Sequence, residues 1–420
     1  MRFNSRGCCP SLTALLFFCI LNAGCMEVGV IPEGLVETGS LRSEEYVARY
    51  LYPELGITLE LVAPREGDPA LLTPGVMDLP VVYYDSERGD PTDALFFLED
   101  SFLTGDATTP LKIRSTDGCS PDGLCRLVLE VPEGLDSERL FSLCIDNGEE
   151  RICRKRLVYK YESAPNPLRI GHITDIHLGG IITKKDTLEN LHRLMDEVEE
   201  NRHAIDLVVV TGDIGHNGTA EEIRLFFESL DRISLPLVIV SGNHDYHDGH
   251  ITNYLEQITP RLNHTTELGP YLIVAMDTGP AIYSQEPMSF SNKSVGLQPA
   301  QIWWLQSLLR NHVGPKFVML HHPPYAFSWS VIGRRRSDFL KACKEGGVSF
   351  ILAGHTHLNE VYDYNGTGYG LSLWRGTSPK ADRLPLTLIN ARSTRSVPSY
   401  KIIELQRDGT FSYRFIEVFN

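Results

Sequence analysis

The hydrophobic pattern of the chain changes rhythm once. From Ile57 to Tyr161 the apolar residues fall in short runs, ITLELVA, LPVVYYD, ALFFLED, RLVLEVP, LFSLCID and RLVYKYE, divided by Gly, Pro and Asp and almost without helical period. Regular short strands with turn clusters between them predict an N-terminal antiparallel β-sandwich of immunoglobulin or fibronectin type. SAPNPLR, Ser163 to Arg169, carries two prolines and marks a boundary. Beyond it strands alternate with helices. LRIGHIT is followed by a helix with Leu188, Leu191, Met195 and Val198 on one face, then by DLVVVTGD. The next helix opens at Thr219 with Glu222 three residues on, a capping box, and leads to PLVIVSGN. YLIVAMDT, the helix QPAQIWWLQSLL, KFVMLHHPP, the helix SDFLKACKEGG and SFILAGHTH complete a C-terminal α/β layered domain.

The length of 420 residues suits two domains. The reading divides the chain into a signal peptide over 1–24, a polar tether over 25–45, the sandwich over 46–163 and the α/β domain over 164–420. The formal charge of −15 excludes a surface built to grip a nucleic-acid duplex, which needs clustered Lys and Arg. A small anionic substrate remains compatible. The dense basic runs are RICRKR and GRRRS, the second carrying Arg334, Arg335 and Arg336.

Two arginines precede an apolar stretch, Leu12 to Leu21, too short to span a bilayer and ending in small residues, which predicts export. The stretch resembles a bacterial lipoprotein signal with Cys25 as the lipidated residue, although Asn22 stands where an aliphatic residue is usual. The expected location is periplasmic or cell-surface, anchored to a bacterial membrane through Cys25. Of the five cysteines beyond it, Cys119 with Cys125 and Cys144 with Cys153 bracket turn residues and suit small disulfides in an oxidising compartment. Cys343 reads as a buried small hydrophobe. Four Asn-x-Ser/Thr sequons, at Asn217, Asn263, Asn292 and Asn365, read as incidental.

The chemistry lies where polar residues meet the strands. Asp175 and His177 end the first α/β strand, Asp213 the second, Asn243, His244 and Asp245 the third, His321 and His322 a later one, and His355 and His357 the last. The carboxyl ends of strands are where open α/β sheets bind ligands. Carboxylates, a neutral amide oxygen and imidazoles together meet the needs of two divalent metals sharing a site. Such a pair, about 3.5–4 Å apart, can clamp a phosphoryl group and acidify a water.

In order, the segments DIH, GDIG, GNHD, HHPP and GHTH resemble the calcineurin-like metallophosphoesterases, over residues 168 to about 406. The resemblance implies that Asp175, His177 and His357 hold one metal, that Asn243, His321 and His355 hold the other, and that Asp213 bridges them. It also implies that His244 protonates the leaving oxygen, and it leaves open whether His321 or His322 is the ligand. The metals would be two transition ions, Fe, Mn or Zn. His216 stands where the purple acid phosphatases have a tyrosine ligand, and GDIGHNG differs from the GDxxDRG of the Ser/Thr protein phosphatases. The layout is more similar to the bacterial cyclic-nucleotide and glycerophosphodiester phosphodiesterases.

These residues therefore predict a dinuclear metal-dependent hydrolase of small phosphoesters, most simply of phosphodiesters. One alternative is cleavage of a pyrophosphate bond in a nucleotide or lipid precursor. Another is a surface binding protein with a vestigial phosphoesterase domain. Near the site but outside the pattern, His172, His216, His247 and His250 read as solvated loop residues, and Trp303 and Trp304 as packing.

Overall fold

The computed structural model describes residues 31–87, 89–102, 108–180, 187–280, 295–326, 331–368, 387–390 and 398–418. The signal segment, Cys25 and Asn292 lie outside the described residues.

The N-terminal region holds strands β1 (Leu59–Ala63), β2 (Ala70–Leu72), β3 (Asp78–Asp85), β4 (Leu95–Asp100), β5 (Thr108–Cys119), β6 (Leu124–Glu130), β7 (Arg139–Asp146) and β8 (Arg151–Lys160). They are hydrogen-bonded in the order β1-β3-β6-β5-β4-β7-β8-β2. The pairs are antiparallel apart from β2 with β8, which run parallel. Strand β5 pairs with β4 through Thr108 to Leu111 and with β6 through Lys112 to Cys119, so it hands the hydrogen bonding from one group of strands to the other. One core draws on both groups, with Leu61, Val81 and Leu127 from the first and Phe96, Leu143 and Val158 from the second. Disulfides Cys119–Cys125 and Cys144–Cys153 tie β5 to β6 and β7 to β8, as the spacings predicted, and Cys343 is a buried free thiol.

Residues 33–55 correct both the later part of the expected tether, which ended at 45, and the first ten residues of the expected sandwich. They form helical turns at Glu33–Thr38, Ser43–Tyr46, Val47–Leu51 and Tyr52–Leu55. Leu35, Tyr46, Val47, Leu51 and Tyr52 are buried in the same cluster as the helices of the α/β domain. Tyr50 and Leu55 of the same stretch stay exposed, so the covering is confined to the residues that meet the α/β domain.

The C-terminal domain is built on two sheets rather than one. The first, ordered β11-β10-β9-β18-β19, contains β9 (Leu168–Ile173), β10 (Leu207–Thr211), β11 (Leu237–Val240), β18 (Ser399–Leu405) and β19 (Phe411–Glu417). The second, ordered β12-β13-β14-β15-β17-β16, contains β12 (His264–Leu268), β13 (Tyr271–Ala275), β14 (Lys316–Met319), β15 (Phe350–Ala353), β16 (Glu360–Asp363) and β17 (Thr387–Asn390). Ile170, Val209 and Val238 of the first share a core with Ile273, Phe317 and Phe350 of the second. Helices Thr187–Glu200, Ala220–Leu230 and Ile251–Gln257 cover the outer face of the first sheet, and Pro299–Asn311 and Arg336–Glu345 cover that of the second. The capping box forms as read: Thr219 Oγ1 accepts from Glu222 N at 3.3 Å, and Glu222 accepts from Thr219 N at 3.0 Å. Trp303 departs from the packing expected of it, being 68% exposed.

A charged seam joins the two regions. Arg156 is buried and donates to three carbonyls beyond the helix Ala220–Leu230 and at its end, Leu230 at 3.0 Å, Ile233 at 2.9 Å and Leu235 at 2.8 Å. Arg65, fully buried, donates to the carbonyls of Leu61 and Glu256 and pairs with Glu66. Asp68 faces Arg261 and also His264 Nδ1 at 3.1 Å. Between them Gly67 N reaches Ile258 O at 3.1 Å and Gly67 O accepts from Ile239 N at 2.9 Å.

Candidate metal centre

The parallel strands β9, β10 and β11 of one sheet and β14 and β15 of the other release their carboxyl ends at the same edge of the domain, and each ends in a singled-out cluster. The turns after them are made by the functional residues themselves. Asp175 (φ 50°), His177 (50°), Asp213 (53°), His355 (67°) and His357 (56°) all adopt left-handed backbone, which is uncommon outside glycine and gathers at functional sites. At Gly354 the requirement is room: a Cβ there would lie 2.0 Å from Thr174 Oγ1 and 2.7 Å from Asp175 Oδ2.

All seven positions that the resemblance implies as ligands meet in this place. His177 Nε2 lies 3.1 Å from His357 Nε2, and His357 Nε2 lies 3.2 Å from Asp175 Oδ1. On the other side His321 Nε2 lies 3.1 Å from Asn243 Oδ1 and 3.2 Å from Asp213 Oδ2. The same Asp213 oxygen is 3.5 Å from His177 Nε2, so it stands between the two groups. His355 joins the second group, its ring 5.1 Å from that of His321 and 4.3 Å from that of His322. His321, His322 and His355 offer ligand atoms within 4.8 Å of one another.

The surrounding hydrogen bonds fix how these groups point. Asp175 accepts from Thr174 Oγ1 at 2.8 Å and from His355 N at 3.0 Å. Asp213 Oδ1 accepts from His244 N at 2.9 Å, leaving Oδ2 for the interior. His321 Nδ1 donates to the carbonyl of Thr211 at 2.7 Å, which turns Nε2 toward Asp213 and Asn243. Three acceptor atoms then converge where only a proton or a cation can hold them together. Burial alone would lower the His321 imidazole, but Asp213, Asp175 and the Thr211 carbonyl hold it up at about 9. Burial would raise Asp213, yet His321, His244 and His177 keep it well below the usual carboxylate range. His322 Nδ1 meets Thr278 Oγ1 at 2.7 Å, and its buried Nε2 has no partner among the described residues. An excess of buried acceptors with imidazole nitrogens aimed inward is the donor set that divalent transition ions take.

His244 sits beside this cluster. Its Nδ1 meets the carbonyl of His216 at 2.6 Å, and its buried Nε2 is without a partner among the described residues. Burial lowers its imidazole, with Asp213 pulling the other way. Asp245 Oδ2 accepts from Gly242 N at 2.7 Å and holds the loop in place; burial and the neighbouring Asp213 push its carboxyl up to about 7.

Residues 168–359 match the model of the calcineurin-like phosphoesterase family. Over this region the chain has the calcineurin-like phosphoesterase fold. Among relatives, the 3′,5′-cyclic-nucleotide phosphodiesterase of a Nostoc species is 23% identical over 266 residues, covering 60% of this chain and 93% of the relative. The 3′,5′-cyclic adenosine monophosphate phosphodiesterase of Escherichia coli is 23% identical over 256 residues, covering 58% and 88%. A protein named a probable glycerophosphodiester phosphodiesterase, from Arcobacter nitrofigilis, is 28% identical over 188 residues, covering 41% and 64%. The chain is a metal-dependent phosphoester hydrolase.

Four histidines of the phosphoesterase domain need correction as solvated loop residues. His172 and His247 are fully covered, and His172 Nε2 meets Thr211 Oγ1 at 2.9 Å. His250 is half-buried, with Nδ1 on the carbonyl of Asn217 at 2.7 Å. His216 offers a ligand atom within 4.8 Å of His177 and His244. The sequence reading also passed over Thr174, Thr211 and Thr278, which orient Asp175, His321 and His322. Position gave a signal for two of them, since Thr174 precedes Asp175 and Thr211 is the last residue of β10, whereas Thr278 lies three residues beyond β13. Of the sequons, Asn263 is buried, and its side chain bonds Ser40 O, Asp277 N and Gln301 Nε2.

Proposed function

We propose that the domain binds two divalent metal ions and hydrolyses phosphodiesters. Asp175, His177 and His357 would hold one ion, Asn243, His321 and His355 the other, and Asp213 would bridge them. The observation that carries this reading is the single oxygen Asp213 Oδ2, 3.5 Å from His177 Nε2 and 3.2 Å from His321 Nε2. Between His321 and His322, the fixed tautomer of His321 and its approach to both Asn243 and Asp213 favour His321 as the ligand. Two such ions, when bound, supply Lewis-acid polarisation of a phosphoryl group and an acidified water.

The protein's own part is then positioning and proton transfer. His244 Nδ1–H is spent on the His216 carbonyl, which leaves Nε2 as the atom to carry a proton to the leaving oxygen. The negative charge of a bound phosphate would act in the same direction as Asp213, against the burial that lowers this imidazole.

The N-terminal region is read as an immunoglobulin-like sandwich carried beside the enzyme. Its support is the strand order: β1-β3-β6-β5 followed by β4-β7-β8 has the pattern ABED and CFG of that fold. Residues 1–24 are read as an export signal and Cys25 as a lipid-anchored terminus at a bacterial membrane, on the sequence pattern alone.

The test is metal content by elemental analysis on protein purified without chelators, with hydrolysis of bis(p-nitrophenyl) phosphate and p-nitrophenyl phosphate after adding Mn²⁺, Zn²⁺ or Fe²⁺. Two ions per chain and faster turnover of the diester are expected. The monoester hydrolysed faster would overturn the diester assignment, and one ion per chain the dinuclear one.

A further inference from the structure

Beside the metal centre lies a basic groove that the hydrolytic reading leaves unused. The chain has 39 Lys and Arg against 54 Asp and Glu, so three consecutive arginines are a local inversion of charge. Arg334, Arg335 and Arg336, together with one carboxylate, Asp338, line one wall of an open groove of about 590 Å³, with Leu297, Gln298 and Pro299 on the other. That volume exceeds what a lone phosphate needs and lies within the range of small-molecule sites.

The groove is tied to the metal centre on both walls. Thr278, whose hydroxyl meets His322 Nδ1 at 2.7 Å, accepts Gly296 N at its carbonyl at 3.1 Å. Gly296 pairs with Arg334, and Leu297 N donates to Arg334 O at 3.3 Å. A side chain at Gly296 would meet the Arg334 carbonyl at 2.5 Å, so this close approach needs glycine (φ 136°). On the opposite wall Ile332 N donates to Pro323 O at 3.0 Å, next to His322 in the chain, and Arg336 lies 5.4 Å over the Tyr325 ring and reaches Pro324 O at 3.5 Å. Two or three residues of chain, on the order of 10 Å at full extension, separate His322 from the groove.

The arginines differ in what already holds them. Arg336 is fixed by Tyr325 and Pro324. Arg335 pairs with Asp338 at 3.1 Å, both side chains being 51% exposed, and such a pair is weak and readily exchanged. Arg334 has its backbone pinned on both sides by Val295 and Leu297, while its side chain has no ion pair or hydrogen bond among the described residues. A guanidinium on a fixed backbone, beside one that can leave a weak partner, suits a phosphate, which takes bidentate hydrogen bonds from arginine.

We propose that this groove binds a second phosphate group of the substrate, so that the preferred substrate is a phosphodiester bearing an additional phosphate monoester on one of its arms. The inference rests on the phosphodiesterase reading and narrows its substrate class. It is tested with two esters that differ by that group alone, thymidine 5′-(p-nitrophenyl phosphate) and its 3′-phosphorylated form. The metal-loaded full chain and the variant R334Q/R335Q are compared by release of p-nitrophenol, with bis(p-nitrophenyl) phosphate as the substrate that lacks the second phosphate.

In the wild type the 3′-phosphate is expected to raise kcat/KM at least roughly tenfold, mainly through KM, as expected of charge-assisted contacts. In the variant that ratio falls to about one while bis(p-nitrophenyl) phosphate turnover stays within about twofold, which also reports that the variant is folded. A wild-type ratio near one, or a ratio that survives in the variant, overturns the groove assignment while leaving the phosphodiesterase reading standing. No turnover of any of the three diesters by the wild type would overturn the phosphodiesterase reading itself, and the groove assignment with it.

Discussion

At the seam between the β-strand region and the phosphoesterase domain, the guanidinium of Arg156 is buried and ends on three carbonyl oxygens, and Asp68 ends on Arg261 and His264. At the metal centre Asp175, Asp213, His177 and His321 are buried as deeply, but Asp213 Oδ2, Asn243 Oδ1 and His321 Nε2 converge with nothing but a shared proton to hold them together. Both regions remove charge from water at considerable cost. At the seam Arg156 ends on oxygen acceptors and Asp68 on cationic or imidazole donors. The centre gathers acceptors in excess, with left-handed backbone at five of its residues. Buried charge alone therefore does not mark function in this protein; unmatched buried charge does.

The sharpest way to break this comparison is to remove a group from each region and measure activity and stability together. Asp213→Ala should lower kcat on a diester by roughly 10³-fold or more, equivalent to about 4 kcal/mol of transition-state stabilisation, and should lower bound metal. Its midpoint of denaturation without metal should stay near that of wild type, because the substitution relieves the crowding of acceptors. Full activity in this variant would remove Asp213 from the bridging role.

Arg156→Ala is expected to show the reverse. Burial lowers this guanidinium to about 10, so it remains charged at neutral pH and its removal leaves three carbonyls unmatched. Unsatisfied buried acceptors cost about 1–3 kcal/mol each, and a loss of about 3 kcal/mol or more in urea unfolding is expected. Below the transition, kcat should remain within about twofold. A tenfold fall in kcat with unchanged stability would mean that the seam takes part in catalysis. Chelation gives a comparable effect: at a metal concentration 100-fold above Kd each bound ion contributes about 2.7 kcal/mol. EDTA should therefore lower Tm by several degrees in wild type and hardly at all in Asp213→Ala, which calorimetry would check.

How much of this was legible in the sequence follows the same division. The strand-end clusters were readable because each follows an apolar run such as Leu207–Thr211 that is buried on both faces, so the first polar residue beyond it has to lie at the sheet edge. The metal centre is assembled from those positions alone. That the domain has two facing sheets was not readable, because Ile170 and Phe317 look alike in sequence whether their strands share a sheet or face across a core. Strand β5 escaped because Thr108–Cys119 alternates only as far as Ile113, with Leu111 its single buried residue, and is mostly exposed beyond that point. The helical turns of residues 33–55 escaped because Leu35, Tyr46, Val47, Leu51 and Tyr52 are covered by a partner distant in the chain. The seam was invisible for the same reason: Arg156 sits in a basic run, RICRKR, whose other members are exposed or half-buried, and only the tertiary fold brings it under the carbonyls beyond the helix Ala220–Leu230.

The smallest effect separates the regions by pH. Burial would raise Asp68, but Arg261 and His264 outweigh it and hold the carboxyl at about 2, against 3.8 for the unperturbed group. The folded value lies below the unfolded one, so the stabilisation is fully present above about pH 4 and is lost as the pH falls through about 2. The shift corresponds to about 2 kcal/mol. Asp68→Asn carries no titrating carboxyl, so the stability difference between wild type and this variant should be largest above pH 4 and narrow steadily toward pH 2, as read from urea unfolding at a series of pH values. The kcat of Asp68→Asn at neutral pH should match wild type, since Asp68 is answered within the seam by Arg261 and His264. A stability difference that stayed constant down to pH 2 would show that Asp68 acts through packing and not through its charge, and the seam would then no longer be a matched ionic counterpart to the metal centre.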